Sequence, residues 1–206
     1  MAKTARKRLD PAIRSELILD MALKLFAEQH YAMVSVRDIA VACDINAGLI
    51  YYYFESKDQL LRRVLGHAIG QLQAGYDIGR RHELDPAQEL SAWLNMHVPI
   101  APMITRMVKI MSDYAASRIR DAVTDKMITD FYAREQIFLE DCLQRGIACK
   151  VFRPVDVPKT ARAISLQLDG IFYASTSRGD ERIAQDVHNL CGIVAQLSGQ
   201  RSFARG

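Results

Sequence analysis

An excess of charge of either sign is what this chain lacks. The 27 lysines and arginines stand against 24 acids in 206 residues, a net charge of +3, so bulk charge does not by itself argue for a nucleic-acid partner. No stretch approaches the ~20 consecutive apolar residues that cross a bilayer, and no apolar signal-type segment opens the sequence; the expected location is cytoplasmic. Cysteine is sparse as well. Cys43, Cys142, Cys149 and Cys191 form no C-x-x-C, and cytosolic thiols are normally reduced, which argues against a disulfide framework. Strand-length alternation of apolar and polar residues is missing, as are internal repeats and low-complexity segments. So are G-x-S-x-G, a phosphate-binding glycine loop and H-E-x-x-H. His188 with Cys191, and Cys142 with Cys149, could share helix faces, but neither pair has the count or spacing of a zinc site. No catalytic residue, metal ligand or cofactor is expected.

What the chain does have is 50% hydrophobic residues, enough to bury a core in one or two domains, and a helical period almost throughout. The most specific stretch runs from Ser35 to Lys57. Ser35 reads as an N-cap answered by Asp38 three residues on, and Val36, Ile39, Ala40 and Cys43 make one narrow apolar face. Asp44 stands where that helix must stop. Ile45 is a buried-turn candidate, and Asn46 is both a turn residue and the cap of a second helix. Two short helices joined by three or four residues are a helix-turn-helix, whose second helix enters the major groove by its N-terminus. Here that N-terminus is Asn46, Ala47, Gly48 and Leu49: small residues allow close approach, and Leu49 can meet a thymine methyl. Tyr51, Tyr52 and Tyr53 cannot all be buried on one helix face, so at least one hydroxyl should stay exposed for a phosphate oxygen. Phe54 returns to the core, and Ser56, Lys57 and Asp58 open a third helix with a lysine and free amides at its start.

From Phe26 to Leu61 the sequence resembles the N-terminal DNA-binding domain of the TetR family of bacterial transcriptional regulators. The resemblance rests on Leu25 and Phe26, on SVRDIA from Ser35, on Gly48, Tyr51, Tyr53 and Phe54, and on Ser56, Lys57, Leu60 and Leu61. His30 and Asp44 replace glycines common in that family, at positions that call for a left-handed backbone. Ala47 replaces a lysine or polar residue frequent there. The resemblance implies an all-α fold with a three-helix N-terminal helix-turn-helix head over residues 1–55 and a C-terminal helical ligand-binding and dimerisation domain over 56–206. It further implies a one-component repressor that is released from a palindromic double-stranded operator by a small-molecule effector. Carried over residue by residue, Arg37, Ala47 and Leu49 face base edges, while Ser35, Asn46, Tyr51, Tyr52 and Lys57 serve phosphates and Gly48 permits close approach.

Ahead of the head, Lys3, Arg6, Lys7 and Arg8 read as a basic arm. Asp10 and Pro11 begin a helix whose expected buried stripe is Leu17, Ile18, Met21, Ala22, Leu25 and Phe26. The helix opened at Ser56 continues through Leu72 to Gly75 or Gly79, and in the family it links head to body. Asp85 and Pro86 restart a helix, Pro99 and Pro102 are expected to break the pattern, and longer helices follow from Met103 and Ala122. Residues 146–158 read as a loop. Methionine adapts to irregular apolar shapes, so Trp93, Met96, Met103, Met107, Met111, Tyr114, Phe131, Leu168 and Phe172 are candidate lining for a largely apolar effector, with Arg106 or Arg118 available to an acidic group; ordinary core packing is the alternative for these methionines. The stripes Ala161, Ile164, Leu168, Ile171, Phe172, Ser175 and Ile183, Val187, Leu190, Cys191, Val194, Leu197 suit the family's homodimer of last two helices, or close the core of one subunit. The competing function is a helical enzyme or ligand carrier with a vestigial head, for which the titratable groups His67, His97, Asp113, Tyr114 and Asp169 are scattered.

Overall fold

A computed structural model describes residues 10–79, 85–117 and 120–196. Every regular element among them is helical. The chain divides into two compact units, Met1–His67 and Ala68–Gly206.

In the first unit, α1 (Pro11–Gln29) starts where Asp10 accepts from the Ala12 amide at 2.8 Å and Pro11 occupies the first turn. Its buried face is Ile18, Leu19, Ala22, Leu23, Phe26 and Ala27. The expected stripe was therefore one residue early: Leu17 is 50% exposed, while Met21 and Leu25 are half-buried. Packing against the rest of the head, not the local pattern, selects the face that carries Leu19 and Leu23 over the one that carries Leu17. The helix ends at His30, whose φ is +65° and whose Nδ1 accepts from the Ala32 amide at 3.2 Å.

The second helix, α2 (Val36–Ala42), carries the reciprocal cap its sequence promises. Ser35 Oγ accepts from the Asp38 amide at 3.2 Å, and the Asp38 carboxylate accepts from the Ser35 amide at 2.7 Å. The Ser35 hydrogen bonds hold the Asp38 carboxyl below its ordinary value. Val36, Ile39 and Ala40 are buried, and Asp44 takes φ +52° as the chain turns. Ile45 is only half-buried. Helix α3 (Ala47–Tyr53) is capped by Asn46, whose side chain accepts from the Gly48 amide at 2.7 Å. Ile50 and Phe54 point into the core. Helix α4 (Lys57–Gly79) begins with Ser56 Oγ accepting from the Gln59 amide at 3.1 Å, and the division between the units falls within it.

In the second unit come α5 (Pro86–Asn95), α6 (Ala101–Ala116), α7 (Ala122–Ala148), α8 (Val157–Arg178), a single 3-10 turn (Asp180–Arg182) and α9 (Ile183–Ala195). Helix α8 is the centre, packed against α6, α7 and α9, while α5 packs on α7 and α9. Pro102 does not break the pattern but lies in the first turn of α6, where its missing N–H costs no helical bond. The expected loop 146–158 shrinks, because α7 runs through Ala148 and α8 starts at Val157. Gly146 is the close approach there: an added Cβ would strike the Phe152 ring, and its carbonyl accepts from both Val151 at 2.8 Å and Phe152 at 2.9 Å.

The two stripes read on α8 and α9 mostly turn inward. Ala161, Ile164, Leu168, Phe172 and Ser175, with Ile183, Val187, Leu190 and Val194, are buried within the subunit. Ile171 and Cys191 are half-buried, and Leu197 lies outside the described residues. The outward faces instead expose Leu166, Tyr173 and Ile193, at 56%, 53% and 49%. No described helix is long and apolar enough to cross a membrane.

Candidate nucleic-acid interface and body pocket

The reading surface follows from how α3 rests on the head. With Ile50 1% exposed and Phe54 2%, one side of α3 is committed to the core, and the other must face outward. That outer side carries Tyr51 at 56% exposure and Tyr52 at 79%, with Gly48 exposed and Ala47, Leu49 and Tyr53 half-buried. Two phenol rings stand free where one was required. Tyr52 meets the Tyr53 ring edge-on at 5.2 Å, which limits its swing. Asn46 and Arg37 are exposed, at the start of α3 and in the first turn of α2. Ser35 is exposed too, but its hydroxyl already donates to Asp38 at 2.7 Å, so only a remaining lone pair can accept. Lys3, Arg6, Lys7 and Arg8 lie outside the described residues.

Lys57 sits differently from a free phosphate hook. Its ammonium donates to the Ala32 carbonyl at 3.3 Å and lies 4.3 Å from the centre of the Tyr31 ring. Burial lowers its pKa. The Tyr31 hydroxyl donates to Asp58, and its ring meets Phe26 edge-on at 5.1 Å. Tyr31, Lys57 and Asp58 thereby tie the turn after α1 to the start of α4. Sequence reasoning missed Tyr31 because a lone tyrosine in a turn carries no periodic signal.

In the body, Trp93, Met107, Met111, Tyr114, Phe131, Leu168 and Phe172 are all buried, while Met96 and Met103 are half-buried. Tyr114 fastens two helices together. Its hydroxyl accepts from the Asp121 amide at 2.8 Å and lies 3.1 Å from the Asp125 carboxylate, joining the end of α6 to α7. Trp93 belongs to a ring cluster with His97 at 4.7 Å, Phe138 at 5.4 Å and Tyr76 at 5.6 Å between centroids. Its indole N–H has no hydrogen-bond partner among the described residues. His97, 1% exposed, directs Nδ1 at the Trp93 carbonyl, 2.8 Å away, so that nitrogen donates and Nε2 accepts from the Tyr76 hydroxyl at 3.2 Å. Burial pushes its pKa down to about 4. On α7, Glu135 is 5% exposed; burial pushes its carboxyl up to about 7, aided by Asp169 and opposed by the Ser165 hydroxyl. His97 was among the titratable groups singled out in the sequence, but Glu135 was not foreseen, since charge at an apolar stripe reads locally as a gap in the stripe.

The body also holds a cleft of about 370 Å³ lined by Val98, Ala101, Pro102, Thr105 and Arg106 on one side and Asp180, Glu181, Ile183 and Ala184 on the other. A smaller recess of about 10 Å³ lies among Ala87, Ser91, Leu94, Phe152, Cys191, Val194 and Ala195. None of the nine candidate effector residues lines either one. Arg118 lies outside the described residues.

The pattern described as bacterial regulatory proteins of the tetR family matches residues 18–64, the span that forms α1 to the start of α4. The HTH-type transcriptional repressor KstR2 of Mycolicibacterium smegmatis is 28% identical over 155 residues, 75% of this chain and 75% of that protein. A transcriptional regulator from Saccharomonospora viridis, solved in complex with choline, superposes with TM-score 0.74 at 19% identity, over 86% of this chain and 95% of that one. The ketosteroid transcriptional regulator KstR2 of Mycobacterium tuberculosis gives TM-score 0.71 at 24% identity, over 89% and 95%. Helix-turn-helix geometry and matched head agree: residues 18–64 carry the DNA-binding head of the tetR family of bacterial regulatory proteins, the body shares the helical fold of such regulators, and the chain is a DNA-binding regulator of transcription.

Proposed function

We propose that the protein is a one-component repressor whose head, residues 1–55, reads a palindromic operator and whose body, residues 56–206, takes a small-molecule effector that weakens DNA binding. The observation that carries this reading is the outward face of α3, two exposed tyrosines beside small residues on a helix anchored by Ile50 and Phe54. Arg37, Ala47 and Leu49 are assigned to base edges. Asn46, Tyr51, Tyr52 and Lys57 are assigned to phosphates, and Gly48 to close backbone approach; Ser35 joins the phosphate set by turning its hydroxyl away from Asp38. Lys57 can serve a phosphate while braced on Tyr31, because an ammonium has three donors.

The protein acts as a homodimer through its last two helices, using the outward faces that carry Leu166, Tyr173 and Ile193. Two copies of α3 then enter successive major grooves about 34 Å apart, or at longer spacing if two dimers share one site. One relative is solved with choline and another is named for ketosteroids. Two such different chemistries support a small-molecule effector without fixing its class. In this chain a largely apolar effector is placed among Trp93, Met96, Met103, Met107, Met111, Tyr114, Phe131, Leu168 and Phe172, a group that must part to admit it. By linkage, effector and DNA then weaken each other by the same factor, typically 1–3 kcal/mol.

Selection of duplexes from genomic DNA, followed by titration of two variants, tests the head. Lys57→Ala should weaken binding to selected and random duplexes alike and lower the salt slope by about one unit. Arg37→Ala should cost more on the selected duplex than on the random one. Equal loss on both would move Arg37 from base reading to the backbone, and no selection of any duplex would defeat the proposal.

A further inference from the structure

We propose that the cleft between α6 and α9 is a binding site for a zwitterionic small molecule, its carboxylate held by Arg106 and its ammonium by Asp180 and Glu181. The site lies wholly within the body unit and apart from the methionine-lined core, so it stands whether or not an effector enters that core.

Three observations lead there. At about 370 Å³ the cleft has the size of a small-molecule site. Its floor is apolar and covered, with Ala101 7% and Ile183 4% exposed, whereas its walls carry opposite charge. Arg106 and Thr105 stand on the α6 wall, Asp180 and Glu181 on the other. Among the described residues none of Arg106, Asp180 and Glu181 takes part in an ion pair, so both signs line the same cleft unpaired.

The walls are held in place. Thr105 Oγ1 lies 3.4 Å from Ser175 Oγ, and Ser175 in turn donates to the Phe172 carbonyl at 2.7 Å, which fixes the α6 side against α8. On the far side the chain turns at Gly179, φ +95°, where an added Cβ would strike the Glu181 carboxylate. A side chain at 179 would therefore both strain the backbone and displace one of the acids. Asp180 and Glu181 are exposed and Arg106 half-buried, so a ligand with a single charge gains the attraction of one wall only. A ligand with both charges on a short apolar spacer satisfies both walls and covers the Ala101 and Ile183 floor.

Calorimetric titration of the full chain at low ionic strength and pH 7 tests this with 6-aminohexanoate, hexanoate and hexylammonium, and with the four- and eight-carbon aminoalkanoates as a length series. At least one aminoalkanoate should bind about tenfold or more tightly than either singly charged six-carbon compound. Arg106→Gln should reduce its affinity to that of hexylammonium, and Asp180→Asn with Glu181→Gln to that of hexanoate. Circular dichroism checks that both variants keep the parent fold. Equal affinities across the probes, no saturable binding by any aminoalkanoate, or unchanged binding in both folded variants would overturn the assignment.

Discussion

Head and body depend on helix caps to different degrees. In the head, α2 and α3 are 7 residues each, too short to persist alone, and each starts on a side chain that takes up a free amide, Ser35 for one and Asn46 for the other. In the body, α5, α7 and α8 also start on a capping aspartate, Asp85, Asp121 and Asp156, whereas α6 and α9, 16 and 13 residues long, start with no side-chain cap. They persist because their apolar faces are covered by α8. Caps need particular residues at particular offsets. Covered faces need only apolar residues at a period, which many sequences supply. The 7-residue helices of the head depend on their caps far more than the longer helices of the body do, so the head is the more specific in sequence, and the contrast can be broken or sharpened by substitution.

The largest effect is expected at the proposed dimer face. Leu166→Glu combined with Ile193→Glu places charge on residues that are 56% and 49% exposed in one subunit, so each subunit should fold as before. Loss of bivalency should then lower operator affinity by about 10²–10⁴-fold, with a monomer seen by analytical ultracentrifugation. A folded variant that remains dimeric would move the interface elsewhere.

Phe26→Ala comes next. The side chain is fully buried in the head, and its removal should cost about 3–5 kcal/mol, read by denaturant unfolding, with hydrogen exchange rising in α1 and α2. Exchange rising equally in α7 and α8 would show that the two units do not respond separately.

A pH dependence distinguishes the body. Glu135 titrates near pH 7 in the folded chain rather than at its ordinary 4.5, so the folded state holds the proton more tightly. That contribution to stability is complete below about pH 4.5 and is lost as pH rises to about 7, by up to about 3 kcal/mol. His97, pushed down to about 4 from 6.5, acts in the opposite sense, and its contribution is lost as pH falls through that window. The two oppose each other between about pH 4.5 and 6.5. Glu135→Gln should therefore leave stability that rises with pH across the window, and should stabilise the protein at pH 8 relative to the parent. An unchanged pH profile by thermal denaturation would contradict the burial of a titrating Glu135.

Ser35→Ala should have the smallest effect, about 1 kcal/mol from the lost cap, measured by denaturant unfolding. No change would mean that the Ser35–Asp38 pair holds α2 less than its geometry implies.

The same contrast sets what could be read in advance. The capped starts of α1 to α4, the positive φ at His30 and Asp44, and the burial of Phe54 were legible because each depends on neighbours within four residues. The phase of α1 was not. Leu17 and Leu19 are equally apolar, and only tertiary packing decides that Leu17 faces outward. For α8 and α9 the periodic residues were found but not their destination: both a subunit core and a dimer seam call for the same stripe, and the structure places it inside. The Lys57 brace needs Tyr31 and Ala32, about 25 positions away, and no local pattern encodes such a pairing. The same holds for the facing of Arg106 with Asp180 and Glu181, which come together only when α6 and α9 pack on α8.

The most direct measurement is fluorescence anisotropy of a genomically selected duplex and a scrambled duplex of equal length, titrated with the parent chain and with Tyr51→Ala, Tyr52→Ala. The parent should prefer the selected duplex by at least about 10³-fold at physiological salt. The variant should lose affinity for both duplexes while keeping its helical circular dichroism. Equal parent affinity for the two duplexes, or a folded variant that binds both as tightly as the parent, would contradict α3 as the reading surface.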